Sequence, residues 1–225
     1  DYFFSTMPVQ QLVRSLSEGP PEPIRRINEG LVYRDFITVG LLLEGLEVSE
    51  RAAEGPVPIR DNWIYIQEPD VRVGRMQIFN NWSPYLVADR SKTWIGLEYF
   101  ANEHDDLWVR PDRELIALAA EETAKIGIID PRAVLDGTVI RMPKAYPAYF
   151  GSYDRFDELR DWIDRFHNLY LIGRNGMHRY NNMDHSMLTA MVAVDNIVDG
   201  QADKSNVWAV NAEQEYHEVQ GKRAA

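Results

Sequence analysis

The chain has 225 residues, no cysteine and a formal net charge of -11 at pH 7. Without cysteine it forms neither disulfides nor thiolate metal sites, and its acidic balance argues against a nucleic-acid-binding surface, which needs clustered Lys and Arg. With 45% hydrophobic residues, it is predicted to fold as a soluble globular protein with a sizeable core.

The ends and the apolar runs of the chain bear on its location. The absence of cysteine fits a reducing cytoplasm, which is the predicted location. The longest apolar run, from Phe36 to Leu43, is far shorter than the roughly 20 residues that span a bilayer. The chain opens inside a strand pattern, without an initiator Met or a basic signal region, so we expect it to be part of something longer.

The predicted elements alternate between strand and helix. As far as Phe100 they are a strand at Tyr2–Thr6, a helix opened by Pro8, a helix at Pro23–Asn28, a strand at Leu31–Leu43, a charged loop at Glu44–Gly55, and strands at Trp63–Gln67, Val73–Phe79 and Trp94–Phe100. Beyond it they are a helix at Pro111–Ile126, a strand at Thr138–Met142, a helix at Tyr153–Phe166, a strand at Leu169–Ile172, and helices at Asp184–Val198 and near Ala212–Val219.

This order predicts an α+β fold, with a mostly antiparallel sheet and packed helices. No sharp linker divides the chain. We therefore expect one domain over residues 1–200 and a polar C-terminal tail with a short helix over residues 201–225.

The most informative stretch runs from Asn168 to His185. It predicts a buried strand, a turn with glycines at Gly173 and Gly176, a polar loop and the start of a helix. Glycines there let a backbone approach a ligand closely, and a helix N-terminus favours negative charge or an electron-rich oxygen. From spacing alone, the commoner meaning of this pattern is a tight turn that packs a helix onto a sheet.

The runs Leu171–Gly176 (LIGRNG) and Tyr180–Asp184 (YNNMD) resemble a late segment of UDP-galactopyranose mutases and amine-oxidase-like flavoproteins. The order differs in one respect, because the mutases place Asp before Met and this chain has the reverse. Together with the opening turn Ser5–Pro8 (STMP), the late segment is more similar to a broader group of FAD-dependent oxidoreductases found with polysaccharide-biosynthesis genes.

The resemblance implies roles for individual residues. In that family the late arginine and the last helix close over a flavin, so Arg174 is expected to contact the flavin or a substrate phosphate. The implied cofactor-binding residues are Gly173, Arg174, Gly176, Asn182, Met183 and Asp184. Two residues of the intervening loop are implied on the substrate side, namely Arg179 and Tyr180.

The glycine-rich strand–turn–helix that binds the FAD pyrophosphate is not found in this sequence. In the family it lies nearer the N-terminus than the segment present here. We therefore expect this chain to be the C-terminal, substrate-binding and FAD-lid part of a larger flavoprotein. The missing N-terminal dinucleotide-binding half would hold most of the FAD, and the chain alone is expected to be inactive.

Two other runs combine basic and aromatic side chains. Arg141, Tyr146 and Tyr149 suit a sugar nucleotide, because rings cover a base or sugar and guanidinium groups bind phosphates. An aromatic strand packed under a helix explains that run equally well. Trp82 is a candidate for the wall of a sugar pocket, although a solvated sheet face with a turn is the more common explanation.

Metal and nucleophilic chemistry have little support in the sequence. His178 and His185 lie seven residues apart and lack the one-turn pairing of a metalloprotease helix, so no metal site is predicted. His185 is better interpreted as a residue of the helix cap or of the flavin lid. No Gly-x-Ser-x-Gly motif occurs in the chain.

Two functions remain open at this point. The first is an FAD-dependent oxidoreductase or flavin-assisted sugar-nucleotide mutase of polysaccharide or lipopolysaccharide biosynthesis, acting on a small molecule such as a sugar nucleotide. The second is a non-catalytic module that binds a carbohydrate or a partner chain through the runs around Trp82 and Tyr146–Tyr149. Detection of bound flavin would distinguish the enzyme from the non-catalytic module.

Overall fold

The computed structural model describes residues 1–46, 49–52 and 55–211. Its strands are β1 (Phe3–Ser5), β2 (Leu31–Leu43), β3 (Ser49–Ala52), β4 (Gly55–Pro58), β5 (Trp63–Tyr65), β6 (Arg75–Ile78), β7 (Thr93–Ala101), β8 (Val134–Gly151) and β9 (Leu169–Leu171). Its helices are α1 (Val9–Ser15), α2 (Glu22–Glu29), α3 (Phe79–Trp82), α4 (Asp106–Val109), α5 (Asp112–Lys125), α6 (Phe156–Ile163), α7 (Gly173–Gly176), α8 (Met183–Val198) and α9 (Ser205–Ala209).

The described strands form three sheets. The largest has the order β5-β6-β7-β2-β8 and is mostly antiparallel, whereas β3 pairs with β4 and β1 pairs in parallel with β9. The predicted α+β fold with a mostly antiparallel sheet is confirmed. None of the helices in the described part of the chain has the length and hydropathy of a membrane span.

The chain divides into two compact units. Unit 1 comprises Asp1–Tyr33 and Tyr146–Ala225, and unit 2 comprises Arg34–Ala145. The predicted boundary at residue 200 stays a prediction.

Unit 2 is built on the alternation of β2, because successive strand residues point to opposite faces. Ile37, Val39 and Leu41 are buried on one face, where they join residues of β7 and α5 in a single core. The buried carboxylate of Glu122 on α5 accepts hydrogen bonds from the backbone N–H groups of Arg72 and Val73. It therefore ties the helix to the segment before β6.

The helices of unit 1 pack around a second core that includes Val13, Leu159 and Met177. Two buried amides join α1 to α2. Gln10 donates to the carbonyl oxygen of Asn28 at 3.1 Å, and Asn28 donates to the carbonyl oxygen of Gln10, also at 3.1 Å. These bonds satisfy both amide nitrogens, whereas Oδ1 of Asn28 has no hydrogen-bond partner among the described residues.

The large sheet carries a buried ion pair between Arg75 on β6 and Glu98 on β7. The Nε atom of Arg75 lies 2.6 Å from Oε2 of Glu98, and both side chains are almost fully shielded from water. The guanidinium group also lies 5.0 Å from the ring centres of Trp63 and Phe100. Removing one partner of such a pair leaves an uncompensated buried charge.

We predict that Arg75→Met lowers the free energy of unfolding by about 3–5 kcal/mol, because Glu98 then loses its buried counter-charge. The measurement is urea-induced unfolding. Arg72→Met is the matched control, because Arg72 pairs with Asp106 at the surface and exposed pairs contribute about 0–1 kcal/mol. Equal losses in the two variants would contradict the prediction.

Two predicted elements need correction. The loop predicted at Glu44–Gly55 is wrong over Ser49–Ala52, which forms β3 and pairs with β4. This ladder lies outside the large sheet, and the sequence Ser49–Ala52 has no apolar alternation that would predict a strand. The helical stretch predicted near Ala212–Val219 lies outside the described residues.

The strand predicted at Thr138–Met142 is too short, because β8 extends over Val134–Gly151. Pro143 and Pro147 interrupt the sequence pattern of this strand. Proline is tolerated on an edge strand, and β8 lies at the edge of its sheet. The Tyr146–Tyr149 run therefore belongs to this strand.

Candidate functional site

The late glycine segment follows β9 in unit 1. Gly173 has φ of +76° and so adopts the left-handed conformation that favours glycine. Its backbone N–H donates to Oγ1 of Thr189 on α8 at 3.1 Å. The turn is thereby joined to the helix that follows it.

Gly176 is required by the close approach of two backbones. A Cβ at this position would lie 2.4 Å from the carbonyl oxygen of Ser5 on β1. That oxygen also accepts a hydrogen bond from the N–H of Ile172 at 3.0 Å, so it cannot move away freely. Gly176 therefore has a packing role between β1 and α7, whatever it contributes to a cofactor.

We predict that Gly176→Ala destabilises the protein by about 1–3 kcal/mol, because the added methyl group overlaps the fixed Ser5 carbonyl. Thermal and urea unfolding measure this loss. Gly19→Ala is the control, since a Cβ at Gly19 meets nothing within 4 Å. The packing role would be wrong if both variants were equally stable.

Helix α8 begins at Met183 with a reciprocal cap. The Asn182 side chain accepts from the backbone N–H of His185, and Nδ1 of His185 accepts from the N–H of Asn182 at 3.4 Å. This arrangement confirms His185 as a capping residue. Met183 and Asp184 are exposed in the first turn, where a helix N-terminus favours negative charge.

Arg174 and two tyrosines come together beside this helix. The rings of Tyr146 and Tyr180 are stacked with centroids 5.7 Å apart. The guanidinium carbon of Arg174 lies 4.2 Å from the centre of the Tyr180 ring and 5.2 Å from that of Tyr146. All three side chains are partly exposed. We call these three residues the Arg–Tyr cluster.

Hydrogen bonds fix the backbone around the Arg–Tyr cluster. Nε of Arg174 donates to the carbonyl oxygen of Asn181 at 3.0 Å, and the hydroxyl of Tyr149 accepts from the N–H of Tyr180 at 2.6 Å. Burial raises the pKa of Tyr149, so its hydroxyl stays neutral. Arg179 has a different task, because it donates to the backbone carbonyls of Trp208 and Val210.

Asn181 supports the candidate site, although no sequence pattern singles it out. Its buried side-chain amide donates to the carbonyl oxygen of Gly173 at 3.2 Å, and its Oδ1 accepts from Asn211 at 2.9 Å. It therefore links the glycine turn to the segment after α9. Nothing in the sequence distinguishes Asn181 from its neighbour Asn182.

His178 is fully buried in unit 1, although the sequence places it in a polar loop. Its ring packs against Tyr33, Tyr153 and Phe156, and its Nε2 lies 3.1 Å from the carbonyl oxygen of Ala148. Its Nδ1 has no hydrogen-bond partner in the described part of the chain. Burial lowers the pKa of His178 from 6.5 to about 4.

This shift predicts a loss of stability in acid. Between pH 6.5 and about 4 the unfolded chain protonates His178 while the folded protein keeps it neutral. The stabilisation is therefore complete above the unfolded pKa and is lost as the pH falls toward the folded one, a change of about 2–3 kcal/mol. Urea unfolding over this pH range measures it. His178→Gln should lack this component, and parallel pH profiles for wild type and variant would contradict it.

Two predicted substrate residues lie in unit 2. The guanidinium group of Arg141 donates to the carbonyl oxygens of Trp108 and Arg110 and to the carboxylate of Asp112. Those contacts fix the entry to α5, and the predicted substrate role of Arg141 gains no support from them. Trp82 is 46% exposed and contacts the Trp63 ring edge-on.

The described ranges, 1–46, 49–52 and 55–211, contain no group of three or more His, Asp or Glu side chains that could hold a metal ion. Two features of unit 1 contain predicted site residues, namely the Arg–Tyr cluster and the N-terminus of α8. Arg141 and Trp82 belong to neither part.

Solved structures of other proteins share this fold. Among solved structures, the chain is similar to reduced UDP-galactopyranose mutase, with a TM-score of 0.71, 20% identity, and coverage of 94% of this chain and 44% of that one. It is also similar to an Exiguobacterium protein described as a protoporphyrinogen oxidase, with a TM-score of 0.55, 18% identity, and coverage of 78% and 36%.

At these identities the similarity establishes the fold alone. The chain spans less than half the length of either of these two proteins. No family model and no curated protein matches the sequence.

Proposed function

We propose that this chain forms the substrate-binding and flavin-covering part of an FAD-dependent enzyme that acts on a sugar nucleotide. The observation that carries the proposal is the Arg–Tyr cluster beside the start of α8, in a fold shared with UDP-galactopyranose mutase. A role in polysaccharide or lipopolysaccharide biosynthesis and a cytoplasmic location belong to the same proposal.

The cluster has the chemistry that a sugar nucleotide requires. A guanidinium group binds a phosphate through two parallel hydrogen bonds, and tyrosine rings provide apolar surface with hydroxyl groups at their edges. The stacked rings and the Asn181 carbonyl hold Arg174 in one orientation. A pre-oriented cation loses less conformational entropy when it binds an anion.

The start of α8 has the electrostatics that suit a flavin edge. The helix contributes partial positive charge at its N-terminus, and a flavin gains negative charge near N1 and O2 when it is reduced. Asn182 and His185 fix this terminus through their reciprocal cap. The side chains present therefore fit contact with the flavin ring, whereas nothing in the sequence fits its pyrophosphate.

FAD, when bound, would supply electron transfer or a flavin-assisted rearrangement. The residues of this chain would bind the flavin and the substrate and would orient them. Arg174 would neutralise a phosphate or the flavin edge, Tyr146 and Tyr180 would position the substrate, and Tyr149 would hold the backbone of Tyr180. Gly173, Gly176, Met183 and Asp184 would shape the surface that faces the cofactor.

We predict that Arg174→Ala weakens FAD binding by about 10–100-fold, corresponding to a charge-assisted hydrogen bond of about 1.5–3 kcal/mol. Asp184→Ala should also reduce FAD retention, because Asp184 lies in the turn proposed to face the flavin. The measurement is the visible spectrum and FAD content of the protein at its natural length. Arg155→Ala is the control, since Arg155 pairs with Glu158 at the surface.

Unchanged FAD content in both variants would overturn the flavin assignment. Titration with UDP tests the substrate side separately, and Arg174→Ala should weaken UDP binding while Arg155→Ala leaves it unchanged. A folded protein that binds UDP or a glycan but never FAD would instead be a non-catalytic binding module. The exposed Trp82 and the partly buried Trp63 that it contacts would then be its first candidates for mutation.

A further inference from the structure

The turn that begins with Arg174 ends in a histidine at a position where helices commonly have glycine. The backbone N–H of Arg179 donates to the carbonyl oxygen of Arg174 at 3.0 Å. The N–H of His178 donates to the carbonyl oxygen of Asn175 at 3.3 Å, and φ of His178 is +47°. Together these two bonds form a Schellman motif after α7, in which the residue with positive φ is usually glycine.

The side chain of His178 makes this turn more costly than a glycine would. A Cβ in the left-handed region approaches the following carbonyl oxygen, and glycine avoids that contact. Residues held in such conformations persist where their surroundings fix them, and they cluster at functional sites. Because the His178 side chain is fully buried, the reason for its presence lies in what its ring contacts inside unit 1.

The His178 ring holds the end of β8. Its Nε2 lies 3.1 Å from the carbonyl oxygen of Ala148. A carbonyl oxygen only accepts hydrogen bonds, so Nε2 carries the proton of the neutral ring and donates it. Nδ1 is then the unprotonated nitrogen, and it has no partner among the described residues.

A second hydrogen bond and three aromatic contacts join the same end of β8 to the loop after α7. The ring centroid of Tyr153 lies 5.7 Å from that of His178 and 4.7 Å from that of Tyr149. The Tyr149 hydroxyl accepts from the backbone N–H of Tyr180 at 2.6 Å. Tyr146, on the same strand as Tyr149, is stacked on the ring of Tyr180.

We infer that His178 is a positioning residue for the Arg–Tyr cluster. By donating to Ala148 it fixes the end of β8 against the loop, and this fixes the ring of Tyr146 against that of Tyr180. Because its ring is fully buried, His178 acts through these residues and does not touch the ligand. The inference rests on the proposed function, since it names what prepares the proposed site. A site arranged before binding loses less conformational entropy when the ligand arrives.

A matched pair of substitutions separates the hydrogen bond from the packing. Glutamine carries an amide N–H that can replace the Nε2 donor, whereas methionine has a similar length and no donor. UDP is the probe, and the protein is used at its natural length. His178→Met should weaken UDP binding about tenfold, whereas His178→Gln should restore it to within about twofold of the wild type. Equal UDP affinity in the two variants would overturn the inference.

Val13→Ala is the control for a general loss of stability. Val13 belongs to α1 and is buried in the same core as Met177. This variant should unfold at a lower urea concentration and bind UDP as the wild type does. If Val13→Ala and His178→Met weakened UDP binding alike, the effect would be one of stability alone and the positioning role would be wrong.

Two further measurements need no bound ligand. Nuclear magnetic resonance of the imidazole nitrogens in the wild type should show His178 as the tautomer with its proton on Nε2. The tautomer with its proton on Nδ1 would overturn the inference, because Nε2 could not then donate to Ala148. In crystal structures, the rings of Tyr146 and Tyr180 should stay stacked in His178→Gln and separate in His178→Met. Unchanged stacking in His178→Met would also overturn it.

The proposed function can fail independently of this inference. A wild-type protein that binds neither UDP nor FAD would refute that function, and the tautomer and the ring stacking would then decide the positioning role. Conversely, UDP binding that is equally strong in the wild type and in His178→Met would leave the proposed function intact and refute the role of His178. If His178→Met did not fold, the tautomer of the wild type would decide.

Discussion

The contact between Ser5 and the turn at Gly173–Gly176 is the constraint on which the rest of unit 1 depends. The Ser5 carbonyl accepts a hydrogen bond from Ile172 and leaves no room for a Cβ at Gly176. This contact joins the opening strand to the late segment through parallel pairing. It also sets the direction in which α7 leaves the strand.

Buried polar groups add hydrogen bonds that hold the glycine turn in place. Oγ1 of Thr189 accepts a hydrogen bond from the backbone N–H of Gly173, and the side-chain amide of Asn181 donates one to the Gly173 carbonyl. Buried hydrogen-bond networks of this kind rigidify a site because each unsatisfied member would be costly. A rigid hydrogen-bond network therefore supports the partly exposed Arg–Tyr cluster. Binding of a multiply charged ligand requires such support.

Units 1 and 2 differ in how completely they bury their apolar side chains. Unit 2 buries the apolar face of a mostly antiparallel sheet beneath α5. Unit 1 buries one side of α8 and leaves the other exposed, next to a two-stranded parallel ladder. An antiparallel sheet is stable with one face covered, whereas parallel strands need cover on both faces.

The sequence by itself determined the elements that have strong local patterns. The alternation in Leu31–Leu43, the helical periodicity of α5 and the glycines before α8 all predicted the observed segments. It also indicated Arg174, Tyr146 and Tyr180 individually, on the basis of residue type and resemblance. Local patterns suffice here because strand and helix periodicity depend on neighbouring residues.

Only the tertiary structure decided which of these side chains meet. It placed Tyr146 against Tyr180, assigned Arg141 to the entry of α5, and buried His178 in an aromatic cage. It also showed that Asn181 supports the glycine turn by donating to the Gly173 carbonyl. Contacts between residues distant in the chain depend on how strands pair and helices pack, and no local pattern encodes that information.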